Sequence, residues 1–469
     1  MDISNLNEPQ KEAVLYNSGP LLILAGAGSG KTKVLTTKVA FLIEEMDVSP
    51  YNILAITFTN KAAKEMKERL NLLIGDLSKN IQVSTFHSFG LRLLRENCDV
   101  LGYSSNFVIM DSDDSLTVVK KIIKDMGFDP KVYNPRAIRN KISSCKNEMI
   151  MPSDYEKYAV SDYEKIVLKV YEKYEEKLRK NNSVDFDDLL LLPIRLFREN
   201  TDILNRYQDR FKYVLVDEYQ DTNEAQYILT KLISSKYRTI TCVGDDSQSI
   251  YSFRGANYKN ILNFEKDYPD AKSILLEQNY RSTQTILNAA NEVIKNNKAR
   301  KDKNLWTANG EGEKIKYYRA YNERDEAQYV IRKVKEFIVR GASYQDIAVL
   351  YRTNAQSRIL EEEMLKENLP YRVVGSFYFY SRKEIKDLIA YLRLIHNPKD
   401  NVSLLRVINT PKRGIGLKTI ENLTIKADNE DKSIYDVIDS GKELAFKEII
   451  EKLRAIKDDL TLTELIDKV

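Results

Sequence analysis

The chain has 469 residues, enough for three average domains at roughly 150 residues each. Hydrophobic residues make up 43% and charged residues 30%, with 73 lysines and arginines against 69 aspartates and glutamates and a net charge of +4. Such a length needs no disulfide or metal staple, and apolar runs such as 21–25 and 189–192 fall far short of the ~18 residues that span a bilayer, so no membrane partner is expected.

The opening MDISNLNEPQ has no basic segment and no apolar run, so no secretory signal is expected. Cys98, Cys145 and Cys242 are odd in number and scattered, which fits a reducing cytoplasm rather than a disulfide framework or a zinc site. Two histidines, His87 and His396, leave no His-rich metal centre.

The first 110 residues alternate strand and helix. The run 21–24 is a strand ending in a glycine-rich loop, and 31–45 carries helical spacing. Strand 53–58 precedes a helix over 61–73, and strand 81–85 precedes one around 91–97. Strands separated by helices of 10–15 residues imply βαβ units and a parallel sheet. From about 110 to 192 the chain is mostly helical. Tyr163, Ile166, Val167, Val170, Tyr171, Tyr174 and Leu178 form one apolar stripe at helical spacing, so these tyrosines read as packing residues rather than a base-stacking platform. Strands resume at 213–216, 239–243 and 273–276, which makes the helical stretch an insertion into one α/β domain. A second α/β unit follows, with helix 283–295, strand 315–318, helix 323–339, strand 347–351, helix 355–366 and strand 371–374; after residue 382 the chain is helical again.

Ala25, Gly26, Ala27, Gly28, Ser29, Gly30, Lys31 and Thr32 lie between a strand and a helix. Glycines there let backbone N–H groups curl around phosphates, and the helix N-terminus adds a positive dipole end. In that pattern Lys31 reaches the β- and γ-phosphates and the Thr32 hydroxyl ligates Mg²⁺. The apolar run 213–216 delivers Asp217 and Glu218 to its C-terminal end, Asp217 placed to hold Mg²⁺ and Glu218 to polarise the attacking water. Gln248, just after strand 239–243, is a candidate γ-phosphate sensor, and Arg281, just beyond strand 273–276, a candidate arginine finger. Spacing alone reads either one equally as a surface polar group.

AGAGSGKT, AITFTNKAAKEM (55–66), TFHSF (85–89), VDEYQDTN (216–223), VGDDSQSIYSFRGA (243–256) and QNYRS (278–282) resemble, in order, the motifs of superfamily 1A DNA helicases of the UvrD/PcrA/Rep group. LNEPQ (6–10) resembles that family's adenine-reading Q motif, AVLYRTNAQSR (348–358) and YRVVGSFYFYSRKEIKD (371–387) extend the likeness into the second unit, and PKRGIG (411–416) resembles its second inserted subdomain. The resemblance implies a P-loop α/β fold of two RecA-like domains, the second incomplete, with helical insertions: 1–109 and 191–278 as the first domain, 110–190 as its insertion, 279–380 as the second and 381–469 as the second insertion.

It implies an ATP-dependent DNA helicase or translocase using ATP and Mg²⁺, moving 3′ to 5′ on single-stranded DNA and at single-strand/duplex junctions, in repair or replication, with loading proteins as further partners. By the same likeness Gln10 would bond the adenine edge and Tyr280 stack on the base. Phe58, Tyr251 and Phe253 fall where the family stacks aromatic rings on bases. Thr85, Phe86, His87 and Arg254 match motif positions at the DNA track, and Arg352 and Asn354 match phosphate contacts. Phe58 is also compatible with core packing and His87 with a structural role; Phe253 stands where the family often carries Trp, so weaker stacking is expected.

Motifs resembling TIHSAKGLE and YVAITRA, which complete the family's second RecA-like domain, are not found. The chain therefore reads as an N-terminal portion, expected to bind nucleotide and DNA but to hydrolyse slowly. The alternatives are a non-catalytic nucleotide- and DNA-binding module, or the helicase subunit of a recombination helicase–nuclease.

Overall fold

The computed structural model describes residues 1–252, 255–257, 259–297, 301–374 and 383–469. In chain order its strands are β1 (Leu21–Ala25), β2 (Ile53–Thr57), β3 (Gln82–Thr85), β4 (Val108–Ile109), β5 (Ser183–Val184), β6 (Tyr213–Val216), β7 (Thr239–Gly244), β8 (Lys272–Leu276), β9 (Gln278–Asn279) and β10 (Trp306–Thr307). Six of them form one sheet in the order β3-β2-β6-β7-β1-β8, and every pairing in it is parallel. Successive side chains of a strand point to opposite faces. Leu21, Ile23 and Ala25 accordingly join Val34, Val39 and Leu215 in one core, while Leu22, Leu24, Leu54 and Val214 join Phe89, Ile194 and Leu229 in the other. Burial on both faces is why these strands read as unbroken apolar runs. A parallel sheet also brings all its C-terminal strand ends to one edge, where ligands of such folds bind.

Between β3 and β6 the helices Ser112–Asp125, Pro135–Asn147 and Asp162–Lys180 pack around their own core of Val119, Ile123, Ile138, Val170, Tyr171 and Tyr174. Tyr171 and Tyr174 are packing residues, as the stripe predicts. Tyr163, at its start, is exposed, with its ring stacked on Tyr133 at 5.7 Å. β4 pairs with β5, clasping the chain where it leaves for these helices and where it returns.

The second α/β unit departs from expectation. Its helices form, at Gln284–Ile294, Glu323–Val339 and Ser357–Lys366, but 315–318, 347–351 and 371–374 are not strands. A strand exists only through a ladder partner, and among the described residues these segments have none; Tyr317, Leu350 and Val374 are 86%, 94% and 80% exposed. The sheet in this region is the short parallel pair of β9 and β10. Beyond it, the helices Lys383–His396, Asn401–Val407, Leu417–Asn429 and Gly441–Ile456 enclose a core of Leu394, Ile395, Val407, Phe446 and Ile450.

Candidate active site

The glycine-rich loop leaves the C-terminal end of β1, whose last residue, Ala25, is buried in the core. Gly28 and Gly30 have φ of 63° and 86°, the left-handed region that glycine enters without steric cost. Gly30 then opens the helix Lys31–Glu44. Neighbouring groups occupy the loop's carbonyls. Ser29 Oγ donates to the Gly26 carbonyl at 2.8 Å, Asn279 Nδ2 to Ala27 at 2.5 Å, the Tyr280 N–H to Gly28 at 2.9 Å and Gln10 Nε2 to Ser29 at 2.9 Å. A Cβ on Gly28 would lie 2.6 Å from the Asn279 amide, so the loop is also closed sterically.

Gln10 is 1% exposed, and its amide is spent on the Ser29 carbonyl and on accepting the Asn7 N–H at 3.2 Å. Gln10 thus lies against the loop, beside the place its adenine-reading role requires a nucleotide to occupy. Tyr280 is exposed, with its hydroxyl donating to Gln278 Oε1 at 3.0 Å, which leaves its ring at the surface beside the loop. Arg281 is exposed next to Gly28.

Asp217 and Glu218 leave the end of β6 facing the loop. Lys31 Nζ lies 3.6 Å from Glu218 Oε2, and Glu218 takes a left-handed φ of 50° that turns its side chain away from the strand direction. Asp217 is buried; desolvation and then the adjacent Glu218 charge push its carboxyl up to about 7. The same two causes push Asp221 up to about 6, and its Oδ1 is buried without a hydrogen-bond partner. Asp217 and Asp221, crowded by Glu218 and under-compensated, offer oxygen ligands of the kind suited to Mg²⁺.

Gln248 follows β7 in a short 3₁₀ turn, with its Nε2 donating to Asp245 Oδ2 at 2.7 Å. Gln220 ties this turn to the carboxylates: its Oε1 accepts the Asp245 N–H at 2.9 Å and its Nε2 donates to Glu218 Oε2 at 3.0 Å. Neither Gln220 nor Asn279 stands out in the sequence; a search for amides inside the motifs that carry Glu218 and Arg281 would have found them.

On the same edge, Phe58 at the end of β2 meets Tyr251 with ring centroids 5.3 Å apart. Both rings are partly exposed, so Phe58 is not a core residue. Phe253 and Arg254 lie outside the described residues. Two positions need correction. Phe86 is in the core, 2% exposed, because the first turn of the helix Phe86–Asn97 points it at the sheet, and it presents no ring to a base. Thr85 is the buried N-cap of that helix, its Oγ1 accepting the Ser88 N–H at 3.2 Å. His87 stacks on Phe186 at 4.0 Å, and burial lowers its imidazole to about 4. Phe186 is 56% exposed, an aromatic surface that the sequence did not flag. Arg352 and Asn354 are exposed at a 3₁₀ turn, and their described hydrogen bonds stay within residues 352–357.

The family description "UvrD/REP helicase N-terminal domain" matches residues 6–269, and "UvrD-like helicase C-terminal domain" matches 274–468. The chain is similar to proteins named ATP-dependent DNA helicase PcrA from Staphylococcus aureus (strain Mu50) and Staphylococcus epidermidis (strain ATCC 12228), at 50% identity over its whole length. It spans 66% of the length of those relatives.

Proposed function

The chain belongs to the UvrD/REP helicase family, and from that premise we propose that it is an ATP-dependent DNA translocase and helicase, moving 3′ to 5′ on single-stranded DNA and opening single-strand/duplex junctions in repair or replication. One observation carries the reading. The loop after β7 bears Gln248 on the nucleotide side and, three residues on, Tyr251 against Phe58. A shift of that loop with nucleotide state moves the aromatic pair.

The residues divide the work. Backbone N–H groups from Gly26 to Gly30 and the Lys31 ammonium take the phosphates, with Gln10, seated against the loop, bonding the adenine edge and Tyr280 stacking on the base. Thr32 and Asp217 hold Mg²⁺, which supplies charge neutralisation on the phosphate oxygens when bound. Glu218 orients the attacking water, Gln248 reads the γ-phosphate and Arg281 adds positive charge to it. Phe58 and Tyr251, with Phe253, stack on bases, His87 and Phe186 extend that surface, and Arg254, Arg352 and Asn354 meet phosphates. The division we propose is 1–109 with 191–278 as one RecA-like domain, 279–380 as part of a second, and 110–190 and 381–469 as insertions; β4–β5 pairing supports the first boundary. A cytoplasmic location and loading partners belong to the same proposal; among the described residues no helix is long and apolar enough to cross a membrane.

A second reading, a nucleotide- and DNA-binding module without turnover, draws support from segments 315–318, 347–351 and 371–374, which have no ladder partner among the described residues. Steady-state ATP hydrolysis with and without single-stranded DNA, beside Lys31→Ala, separates the two. Slow hydrolysis, raised by DNA and abolished by Lys31→Ala, is expected. DNA and nucleotide binding with no Lys31-dependent hydrolysis favours the module.

A further inference from the structure

Asp245 and Asp246 sit together at the end of β7, 3% and 4% exposed. Two buried carboxylates side by side are costly unless a cation lies between them. That cation is Lys303, 8% exposed, whose Nζ donates to Asp245 Oδ1 at 2.5 Å and also reaches Asp246 Oδ1. It comes from beyond the sheet, on a segment fastened on three sides. The Lys301 N–H donates to Asp246 Oδ2 at 2.6 Å. Leu305 sits over Gly26 so closely that a Cβ there would lie 2.1 Å from its methyl. Trp306 and Thr307 then pair with β9, the strand leading to Tyr280 and Arg281.

We propose that Lys303 is a positioning residue: by holding Asp245 it fixes the Gln248 amide, and it makes segment 301–307 a strut that moves with the γ-phosphate. Asp245 Oδ1 is shared by Lys303 and the Ser247 N–H, while Oδ2 accepts the Gln248 amide. Withdrawing the cation leaves the Asp245 carboxylate held only by the adjacent turn, through the Ser247 N–H, so that it and Gln248 shift together. The strut, itself part of the second unit, touches the phosphate loop through Leu305, the sensing turn through Lys303 and, through β10, β9 at the junction of the two units, so a displacement felt by Gln248 reaches all three. A cavity of about 160 Å³ lined by Gln248, Asn291, Lys303 and Leu305 gives the strut room to move. The inference rests on the nucleotide reading above and deepens it.

Trp306 is the chain's single tryptophan, half-exposed at the end of the strut, and reports its position directly. The test records Trp306 emission of the full chain with Mg²⁺ and a β,γ-imido ATP analogue, with ADP, and with neither, for the wild type, Lys303→Arg and Lys303→Met. Equilibrium dialysis measures binding of both nucleotides, with Lys31→Ala as control. The wild type and Lys303→Arg should give different emission for triphosphate and diphosphate. Lys303→Met should bind ADP as the wild type does, lose the emission difference and bind triphosphate roughly ten-fold more weakly, the effect of one charge-assisted hydrogen bond. Wild-type-like emission and affinity in Lys303→Met overturn the proposal, as does a wild type that binds both nucleotides with identical emission. A wild type that binds neither nucleotide refutes the nucleotide reading itself. Should Lys303→Met fail to fold, the proposal requires Lys303→Arg to keep the emission difference and Leu305→Ala to diminish it; the reverse overturns it.

Discussion

His87 and Phe86 are adjacent in the sequence and opposite in fate. Phe86 faces the sheet core, while His87 lies against the Phe186 ring near the surface. Burial holds the imidazole at about 4, against 6.5 when free. The folded chain thus refuses a proton that the unfolded chain accepts between those values. Stability is full above pH 6.5 and falls as pH drops toward 4. Thermal melts at pH 7.5 and 5 should show a larger loss for the wild type than for His87→Gln, which cannot titrate; equal losses would mean that His87 is protonated in the folded state. At this scale the sequence is legible in placement: Lys31 and the Asp217–Glu218 pair come together at one edge of the sheet, as their positions after apolar runs predict. It misreads Phe86 because a motif does not say which residues of its helix turn inward. It is silent on Phe186 and Lys303, whose partners lie 99 and 57 or more residues away, at His87 and at Asp245 and Asp246.

Among elements, the helices Phe86–Asn97 and Asp188–Glu199 cross at Gly90. Two effects compete there. Replacing a helical glycine by alanine ordinarily stabilises by about 1 kcal/mol. At Gly90, however, the new Cβ would fall 1.8 Å from the Leu189 carbonyl oxygen and 3.5 Å from the Pro193 ring. The first is backbone and cannot rotate aside, so the helices must separate, at about 1–3 kcal/mol or more. The overlap wins, and Gly90→Ala should lower the denaturant midpoint; a raised midpoint would show that the crossing is loose. This contact is invisible in sequence, whereas the helices themselves are plain from their periodicity. The strands follow the same logic. The inner strands β1, β2, β6 and β7 are buried on both faces, the edge strand β8 alternates buried and exposed residues, and all six were legible. Residues 315–318, 347–351 and 371–374 carry similar runs but find no ladder among the described residues, and a four- or five-residue apolar run does not specify its own partner. β4, β5, β9 and β10, at two residues each, are too short to show any period.

On the scale of the molecule, the helices after residue 382 lie against the helices inserted between β3 and β6, and two kinds of contact hold them. Lys386 pairs with Asp111 at 3.2 Å and Asp113 at 2.5 Å, Arg393 with Asp114 at 2.6 Å, and Lys180 with Asp431 at 2.8 Å. Asp113 and Asp431 are largely exposed, so those pairs contribute little and weaken with salt. Asn397, by contrast, is buried, and its Nδ2 donates to the carbonyls of Asn181 and Asn182 at 3.3 and 3.4 Å. Asn401 adds a bond to Asn181 Oδ1 at 2.9 Å, and Val402 packs into the apolar core of the first helices. Removing the Asn397 amide takes one donor from each of two carbonyls, which keep Ser183 Oγ and the Val108 N–H, both at 3.1 Å, so the loss is that of ordinary hydrogen bonds, about 0.5–1.5 kcal/mol each. The buried amide therefore outweighs the exposed ion pairs in keeping the two groups of helices together. Dyes on cysteines introduced at the exposed Val132 and Leu462 would follow the separation by energy transfer, and the buried native Cys98, Cys145 and Cys242 need not be removed. Raising the salt from about 0.1 to about 1 M, which shortens the screening length from ~10 to ~3 Å, should change transfer little. Asn397→Ala should lower it at both concentrations. The opposite pattern, salt separating the dyes while Asn397→Ala leaves them in place, would assign the contact to the ion pairs.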